Sequence, residues 1–427
     1  MIDIQLIRSN PELIREGAKK RGFDAEKIVE EILEIDKERR SVIGKVEAMR
    51  AEQNASSREI PAIKKNGGDP SELMAKMKTL AGQIKEQSAL LDEKESRQLE
   101  LLASLPNMPD PDVVAGGKEN NVPLHYFGEQ PKFGFEPKNH VDLCESLRLI
   151  DYQRGAKLSG EGSWIYTGMG ARLEWALLNF FIDEHIRDGY QFMLLPHMLK
   201  YECGYVAGQF PKFTDEDYWI QNPTTSDRKF LLPTAETALV NLHRDEILSE
   251  DELPKKYIGY TPCYRREAGS YRSEERGMIR GHQFNKVEMV QYTTPEKSDE
   301  AFAELVGKAE RLVQELGLHY RLSKLAAGDC SFSMARTYDI EVWIPSMGIY
   351  KEVSSASNAR DYQARRGNVK FRGQDKKLHY VHTLNASGLA TSRLFPAIVE
   401  QCQNADGSVT VPEVLRKYIG TDVIRNG

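Results

Sequence analysis

The chain has 427 residues, 40% hydrophobic and 29% charged, with a net charge of -6. That length exceeds one simple core and predicts two or three domains; the acidic balance excludes a globally basic nucleic-acid binder but not a local basic surface. The five cysteines, Cys144, Cys203, Cys263, Cys330 and Cys402, form no CxxC pair, so neither a disulfide framework nor a zinc site is expected, as suits a reducing cytoplasm. The N-terminal MIDIQLIRSNPELIREGAKK lacks the apolar core of a signal peptide, and no run approaches the ~18 apolar residues of a membrane span.

From Glu26 to Leu105 there is no Trp, Tyr or Phe, and apolar residues step by four and three. The first series is Ile28, Ile32, Ile35, Arg39, Val42, Val46, Met49; the second is Leu73, Met77, Leu80, Ile84, Gln87, Leu91, Lys94, Gln98, Leu101, Leu105. This is a heptad seam with polar interruptions. Helix breakers from Ile60-Pro61 to Gly67-Gly68-Asp69-Pro70 separate the two series, with Asp69 as N-cap and Pro70 in a first turn. The pattern predicts an antiparallel hairpin of two helices, each roughly 30 to 35 residues, projecting about 50 Å. Spacing leaves its role open between a dimerisation coiled coil and a probe. Arg58, Lys64 and Lys65 near the tip, with Lys45, Arg50, Lys76, Lys78 and Lys85 on the flanks, suit phosphates or simply a solvated face. Residues 106–137, rich in Pro, Gly and Asn, read as a linker, so residues 1–105 form one domain and 138–427 another.

In the second domain, residues 172–189 predict an amphipathic helix. The run QFMLLPHML follows, and its Pro196 confines it to an edge or an interface. Strands are expected at Lys229–Leu232, Val287–Tyr292, Ile340–Ile344, Ile349–Val353 and His379–Thr383, and helices at Thr234–Glu246, Pro295–Leu316 and Leu394–Cys402. Neighbouring strands between helices predict an α+β fold, an antiparallel sheet flanked by helices. There is no GxxxxGK[ST], no GxGxxG after a strand and no HExxH, so a nucleotide would have to lie on a sheet surface held by side chains.

Four segments carry candidate chemistry. TPCYRREAGSYRSEERGMIRGHQFNKVEMV, residues 261–290, holds Arg265, Arg266, Arg272, Arg276, Arg280 and Lys286 among Glu267, Glu274, Glu275 and Glu288. It reads as strand, polar loop, strand, with Arg265 facing Phe284. Arginine grips carboxylate or phosphate bidentately and phenylalanine stacks on a base; a surface hairpin laced with ion pairs is the alternative. Tyr350–Asn358 sets a strand-borne Glu352 three residues before Ser355, oxygens of the kind that ligate Mg²⁺, though a serine-rich loop is the commoner reading of such a string. Leu384–Arg393 suggests a tight strand-to-helix turn beside Arg393. Leu232–Glu236 opens a helix.

In this order the segments resemble the class II aminoacyl-tRNA synthetases, specifically the seryl-tRNA synthetase family. PTAE, YRREAG with RGMIRGHQFNKVEMV, GDCSFSMARTYDIEVW, KEVSSASNARDYQARR, LNASGLATSR and GQFPKF carry the likeness together with the arm, and it spans essentially the whole chain. The resemblance implies activation of L-serine by ATP to seryl-adenylate and transfer to the 3' end of tRNA(Ser), with tRNA(Sec) a further acceptor, by a cytoplasmic homodimer with an N-terminal tRNA-binding arm. Arg265 and Arg393 are the implied catalytic residues. Thr234, Ala235, Glu236, Arg265, Glu288, Asn385 and Ser387 are the implied serine site. Arg265, Arg266, Glu267, Arg280, Phe284, Glu352, Val353, Ser354, Ser355 and Arg393 are the implied ATP site, with Glu352 and Ser355 holding Mg²⁺.

The chain departs from the family pattern at Ala356 and Ala359, where relatives often carry cysteine, and at Ser392, where glycine commonly precedes the arginine. A seryl-adenylate ligase that loads a carrier protein, expected to lack the arm, and a non-catalytic paralogue, expected to lose the charged site residues, are the rival readings.

Overall fold

The computed structural model describes residues 1–221, 228–267 and 277–426. They divide into two compact units, one comprising Ile2–Lys19 and Phe23–Pro106, the other Met1, Lys20–Gly22 and the chain from Asn107 onward. Arg272 and Arg276, with Glu274 and Glu275, lie outside the described residues. No helix among those described is long and apolar enough to cross a membrane.

In the first unit, helices α1 (Ile4–Ser9) and α2 (Pro11–Lys20) precede α3 (Glu26–Lys65, 40 residues) and α4 (Ser71–Ser104, 34 residues). At 1.5 Å per residue α3 is about 60 Å long and α4 about 51 Å. Helix α3 outruns the expected length because Pro61 sits inside it instead of ending it, whereas α4 falls within the expected range. A proline removes one N–H and leaves the carbonyl four residues earlier, on Ser57, without its bond. Ser57 is exposed, so that carbonyl can take water and the helix survives. The reversal is therefore confined to residues 66–70, where Asp69 accepts from the Ser71 backbone N–H at 2.9 Å and its hydroxyl at 2.5 Å.

Along the hairpin Ile32, Ile35, Val42 and Val46 are buried against a seam that includes Leu80, Gln98 and Leu101. Ion pairs confirm the antiparallel register: Glu31 with Arg97 at 2.7 Å, Glu38 with Lys94 at 2.7 Å, Arg39 with Glu95 at 2.8 Å and Glu52 with Lys76 at 2.6 Å. Where α1 packs on α3, the buried stripe shifts from Ile28 to Val29 and takes in Asp36. That carboxylate accepts two bonds from Arg8, at 2.9 and 3.0 Å, and one from Arg40 at 3.0 Å.

The second unit is built on a sheet of eight strands, in chain order β1 (Val122–Phe127), β2 (Gln191–Leu194), β3 (Lys255–Tyr264), β4 (Gln283–Thr293), β5 (Tyr320–Lys324), β6 (Arg336–Ile344), β7 (Ile349–Arg360) and β8 (His382–Ala390). Their spatial order is β1-β5-β6-β7-β8-β4-β3-β2. All pairs are antiparallel except β2 with β3. One face is apolar. Val287, Met289, Ile340, Val342, Ala356, Leu384 and Ala386 meet Leu173, Leu177 and Phe181 of α5 (Gly168–Arg187), Phe302, Leu305 and Leu312 of α6 (Ser298–Glu315), and Leu394, Phe395 and Ile398 of α7 (Thr391–Gln401). The opposite face is polar and carries the site.

Several elements differ from the sequence reading. Part of residues 106–137 pairs with β5 as strand β1. The expected helix Thr234–Glu246 is regular only over Glu236–Leu239. The serine-rich KEVSSASNAR is strand throughout, and so is LNASGLA, the turn falling only at Ala390. Small residues face each other here, Ala356 pairing directly with Ala386, and leave room for the helices packed on that face. Pro196 follows β2, an edge strand.

Replacing Asp36 by Ala should destabilise the N-terminal unit by about 1–3 kcal/mol, the range for charged hydrogen bonds left unmade. Helicity followed through thermal melting reads this out, and an unchanged melt would contradict the role given to Asp36.

Candidate active site

Alternation along each strand decides which side chains reach the polar face. Glu288 of β4 lies directly opposite Ser387 of β8, and Ser357 of β7 opposite Asn385. Glu352 and Ser355 are three apart, so a regular strand would turn them to opposite faces. The β6–β7 register shifts at this point, pairing Ile340 with Ser354 but Glu341 with Glu352, which makes Val353 a bulge residue. Glu352 and Ser355 therefore share the polar face with Asp339 and Glu341. Val353 and Ser354 turn inward: Val353 joins the core, and the Ser354 hydroxyl donates to the Ser387 carbonyl at 2.6 Å.

At one end of the face is a pocket of buried polar groups. Asn385 Nδ2 lies 3.2 Å from Glu236 Oε2 and 3.1 Å from Glu288 Oε1. Lys286 Nζ meets Glu288 Oε2 at 2.5 Å and donates to Thr234 Oγ1 at 2.8 Å. The Thr234 hydroxyl lies 3.3 Å from Glu288 Oε2 and accepts from the Glu236 backbone N–H at 3.2 Å. Gln363 donates to Glu236 Oε1 at 2.8 Å and is itself held by Thr383 at 2.7 Å. Burial, reinforced by the nearby Glu288 charge, pushes the Glu236 carboxyl up to about 7 against the pull of Gln363, Lys286 and Arg265. Ala235, just before Glu236, is fully buried, and the Ser387 side chain is buried beside the pocket.

Next to this pocket is a cationic and aromatic ledge. Arg265 follows β3, and its backbone N–H pairs with His282, not Phe284. Its guanidinium nonetheless lies diagonally over the Phe284 ring, 5.1 Å from the centroid, and donates to the Pro233 carbonyl at 3.3 Å. Glu267 and Arg280, both in the implied ATP site, form one ion pair at 2.9 Å. Arg266 points elsewhere, donating to the Asp215 carbonyl at 2.9 Å. From α7, Arg393 reaches the Glu352 carbonyl at 3.0 Å, its carboxylate at 3.4 Å and the Ile279 carbonyl at 3.3 Å.

Beyond Arg393, Ser355 donates to Asp339 Oδ1 at 2.7 Å, while Glu341 is neutralised by Arg321 and Ser323 at 2.8 and 2.6 Å. Burial and the charge of Glu352 drive the Asp339 carboxyl well above the usual range. Hard oxygen donors, with Glu352 partly exposed, fit Mg²⁺, which takes few protein oxygens and completes its shell with water and phosphate. Sequence reasoning gave no site role to Lys286, Gln363, Thr383 or Asp339. Lys286 alone carried a signal, its two-residue spacing from Glu288 on one strand face.

An antiparallel sheet presenting an arginine–phenylalanine ledge between a buried carboxylate pocket and a carboxylate–serine pair defines a class II synthetase core. Residues 218–402 match the family described as the tRNA synthetase class II core domain (G, H, P, S and T), and residues 1–109 the seryl-tRNA synthetase N-terminal domain. The chain is 60% identical over 425 residues to serine--tRNA ligase 2 of Clostridium acetobutylicum, covering 99% of this chain and 100% of that protein. It is 46% identical to the serine--tRNA ligase of Fervidobacterium nodosum, covering 100% and 99%. The crystal structure of seryl-tRNA synthetase from Pyrococcus horikoshii complexed with ATP superposes with a TM-score of 0.92 at 36% identity, covering all of both chains. The chain belongs to the seryl-tRNA synthetase family.

Because the Glu236 carboxyl is raised in the fold, its ionisation costs stability as pH climbs through about 7. Glu236→Gln removes that cost, on the order of 2–3 kcal/mol above the transition and little below it. Melting should show the variant more stable than wild type at pH 8, the difference shrinking as pH falls from about 7 to about 4.5 and nearly gone below that. The same difference at every pH would contradict a buried, titrating Glu236.

Proposed function

We propose that the chain is a serine--tRNA ligase that joins L-serine to ATP as seryl-adenylate and transfers the seryl group to the 3' end of tRNA(Ser), with tRNA(Sec) as a second acceptor. The observation that carries the reading is the adjacency, on one sheet face, of the Thr234–Glu236–Glu288–Asn385 pocket and the Arg265–Phe284 ledge. The serine ammonium meets Glu236 and Glu288, and its arrival favours the ionised form of Glu236 that burial alone opposes. The serine hydroxyl bonds Glu288 and Ser387. An analogue without that hydroxyl leaves buried polar groups unpaired and is disfavoured by roughly 10⁴.

A serine carboxylate is ionised at neutral pH, so its oxygen needs no general base to attack the α-phosphorus. The bond to the α-phosphorus forms as the bond to pyrophosphate breaks. What the step requires is two anions held in line with their repulsion offset, the task of Arg265 between carboxylate and α-phosphate. Phe284 stacks on adenine, Glu267 reads its amino group, and Arg280 and Arg393 hold the γ-phosphate, with the backbone of Val353 and Ser354 completing the lining; Arg266, turned to the Asp215 carbonyl, takes no part. Glu352 and Ser355 would hold Mg²⁺, which when bound supplies positive charge against the phosphate oxygens.

The arm takes the tRNA, its basic residues meeting phosphates. We place the enzyme in the cytoplasm as a homodimer. Supporting the dimer, Trp175 of α5, Leu194 of β2 and Met198 are apolar yet 53%, 78% and 59% exposed, a patch of the kind that marks an interface.

Serine-dependent exchange of pyrophosphate into ATP, followed by charging of tRNA, tests the reading. Deleting Ala25–Leu105 should leave exchange nearly intact and abolish charging. No exchange with any amino acid would contradict adenylate formation. Exchange by the full chain without tRNA charging would favour a carrier-protein acceptor.

A further inference from the structure

Three polar side chains are buried along the apolar stripe of α5, Glu174, Glu184 and His185, and Glu184 pairs outward with Arg187 and Arg311. Glu174 and His185 lie about three turns apart on the same face of the helix. Glu174 is 3% exposed and His185 not at all. Glu174 Oε1 accepts from the Thr391 hydroxyl at 2.6 Å and from Asn285 Nδ2 at 2.7 Å. His185 Nε2 lies 2.9 Å from the Gly388 carbonyl. A carbonyl only accepts, so Nε2 carries the proton. The approach is close enough that a Cβ on Gly388 would fall 2.3 Å from Nε2, which explains glycine there.

One helix thus grips Gly388–Thr391 at both ends. This stretch separates Ser387, at the serine pocket, from Arg393, at the phosphates. The residue that shares Glu174 with Thr391 is Asn285, which sits between Phe284 and Lys286. Burying a carboxylate and an imidazole costs free energy that an apolar pair would not, and burial pushes the Glu174 carboxyl up to about 7 despite both donors. What directional bonds add over apolar packing is fixed geometry.

We infer that Glu174 and His185 are positioning residues: Glu174 fixes the ATP half of the site through Thr391 and Asn285, and His185 fixes the serine half through Gly388. Neither touches substrate, and each acts on one half. The inference rests on the serine and ATP assignment above.

The test is steady-state pyrophosphate exchange on the full chain, with serine and ATP varied separately and melting temperature recorded. Thr391→Val and Glu174→Ala should each lower kcat/KM for ATP by roughly tenfold or more, the scale of a small misplacement, with serine KM little changed. Glu174→Gln keeps an acceptor oxygen and should restore most of the loss. His185→Leu should give the mirror image, a raised serine KM with ATP parameters little changed. Should Glu174→Ala fail to fold, Thr391→Val and His185→Leu still decide the matter. Parallel loss for both substrates tracking the melting temperature, or unaltered ATP kinetics in Thr391→Val, would overturn the inference. Absence of serine-dependent exchange in the wild type would instead overturn the functional reading beneath it.

Discussion

Asn385 holds two carboxylates at once, Glu236 at 3.2 Å and Glu288 at 3.1 Å, with Lys286 beside them. Like charges this close in a buried setting repel, and the pocket stays folded because one of them, Glu236, is held near neutrality. The remainder of the catalytic unit serves to place these groups. β4 and β8 pair so that Glu288 and Ser387 stand opposite, β7 sets Ser357 opposite Asn385, and the apolar reverse of the same strands anchors them to α5, α6 and α7. A pocket whose second carboxyl is kept from ionising by burial and by its neighbour is prepared for a cation that lets it ionise, and an amino acid's ammonium is one.

The strain of that arrangement has a counterpart along the same face. The bulge at Val353 brings Glu352 and Ser355 together beside Asp339. Between the two acidic ends lie Arg265, over Phe284, and Arg393. The order of acidic, basic and acidic groups along the face is the one that the proposed ammonium, phosphate and Mg²⁺ positions call for. In the proposed site, side-chain charge takes the place of the glycine-rich loop used in other nucleotide sites.

Much of this was legible in the sequence, and the limits have physical causes. The heptad series located the arm seam well, because two helices packed alone bury little besides that stripe; it misplaced Val29 where α1 adds a third surface. Pro61 was read as a stop because its rule assumes a carbonyl with nowhere to go, whereas Ser57 is exposed. The strings of small residues in β7 and β8 looked like loops, since a buried strand between close neighbours has no large side chains to announce it. Arg265, Phe284, Glu288 and Arg393 were visible as residues of the right chemistry in signature strings. Gln363, Thr383 and Glu174 were not, because each acts only through partners far away in the chain.

The proposed function requires that one sheet face hold the amino acid and the nucleotide on adjoining strands. A crystal structure of the chain with a non-hydrolysable seryl-adenylate mimic tests it most directly. The account predicts adenine stacked on Phe284, the carbonyl–phosphate mimic at Arg265 and the ammonium within hydrogen-bond reach of Glu236 and Glu288. Adenine seated away from Phe284, or an ammonium without either carboxylate, would contradict it.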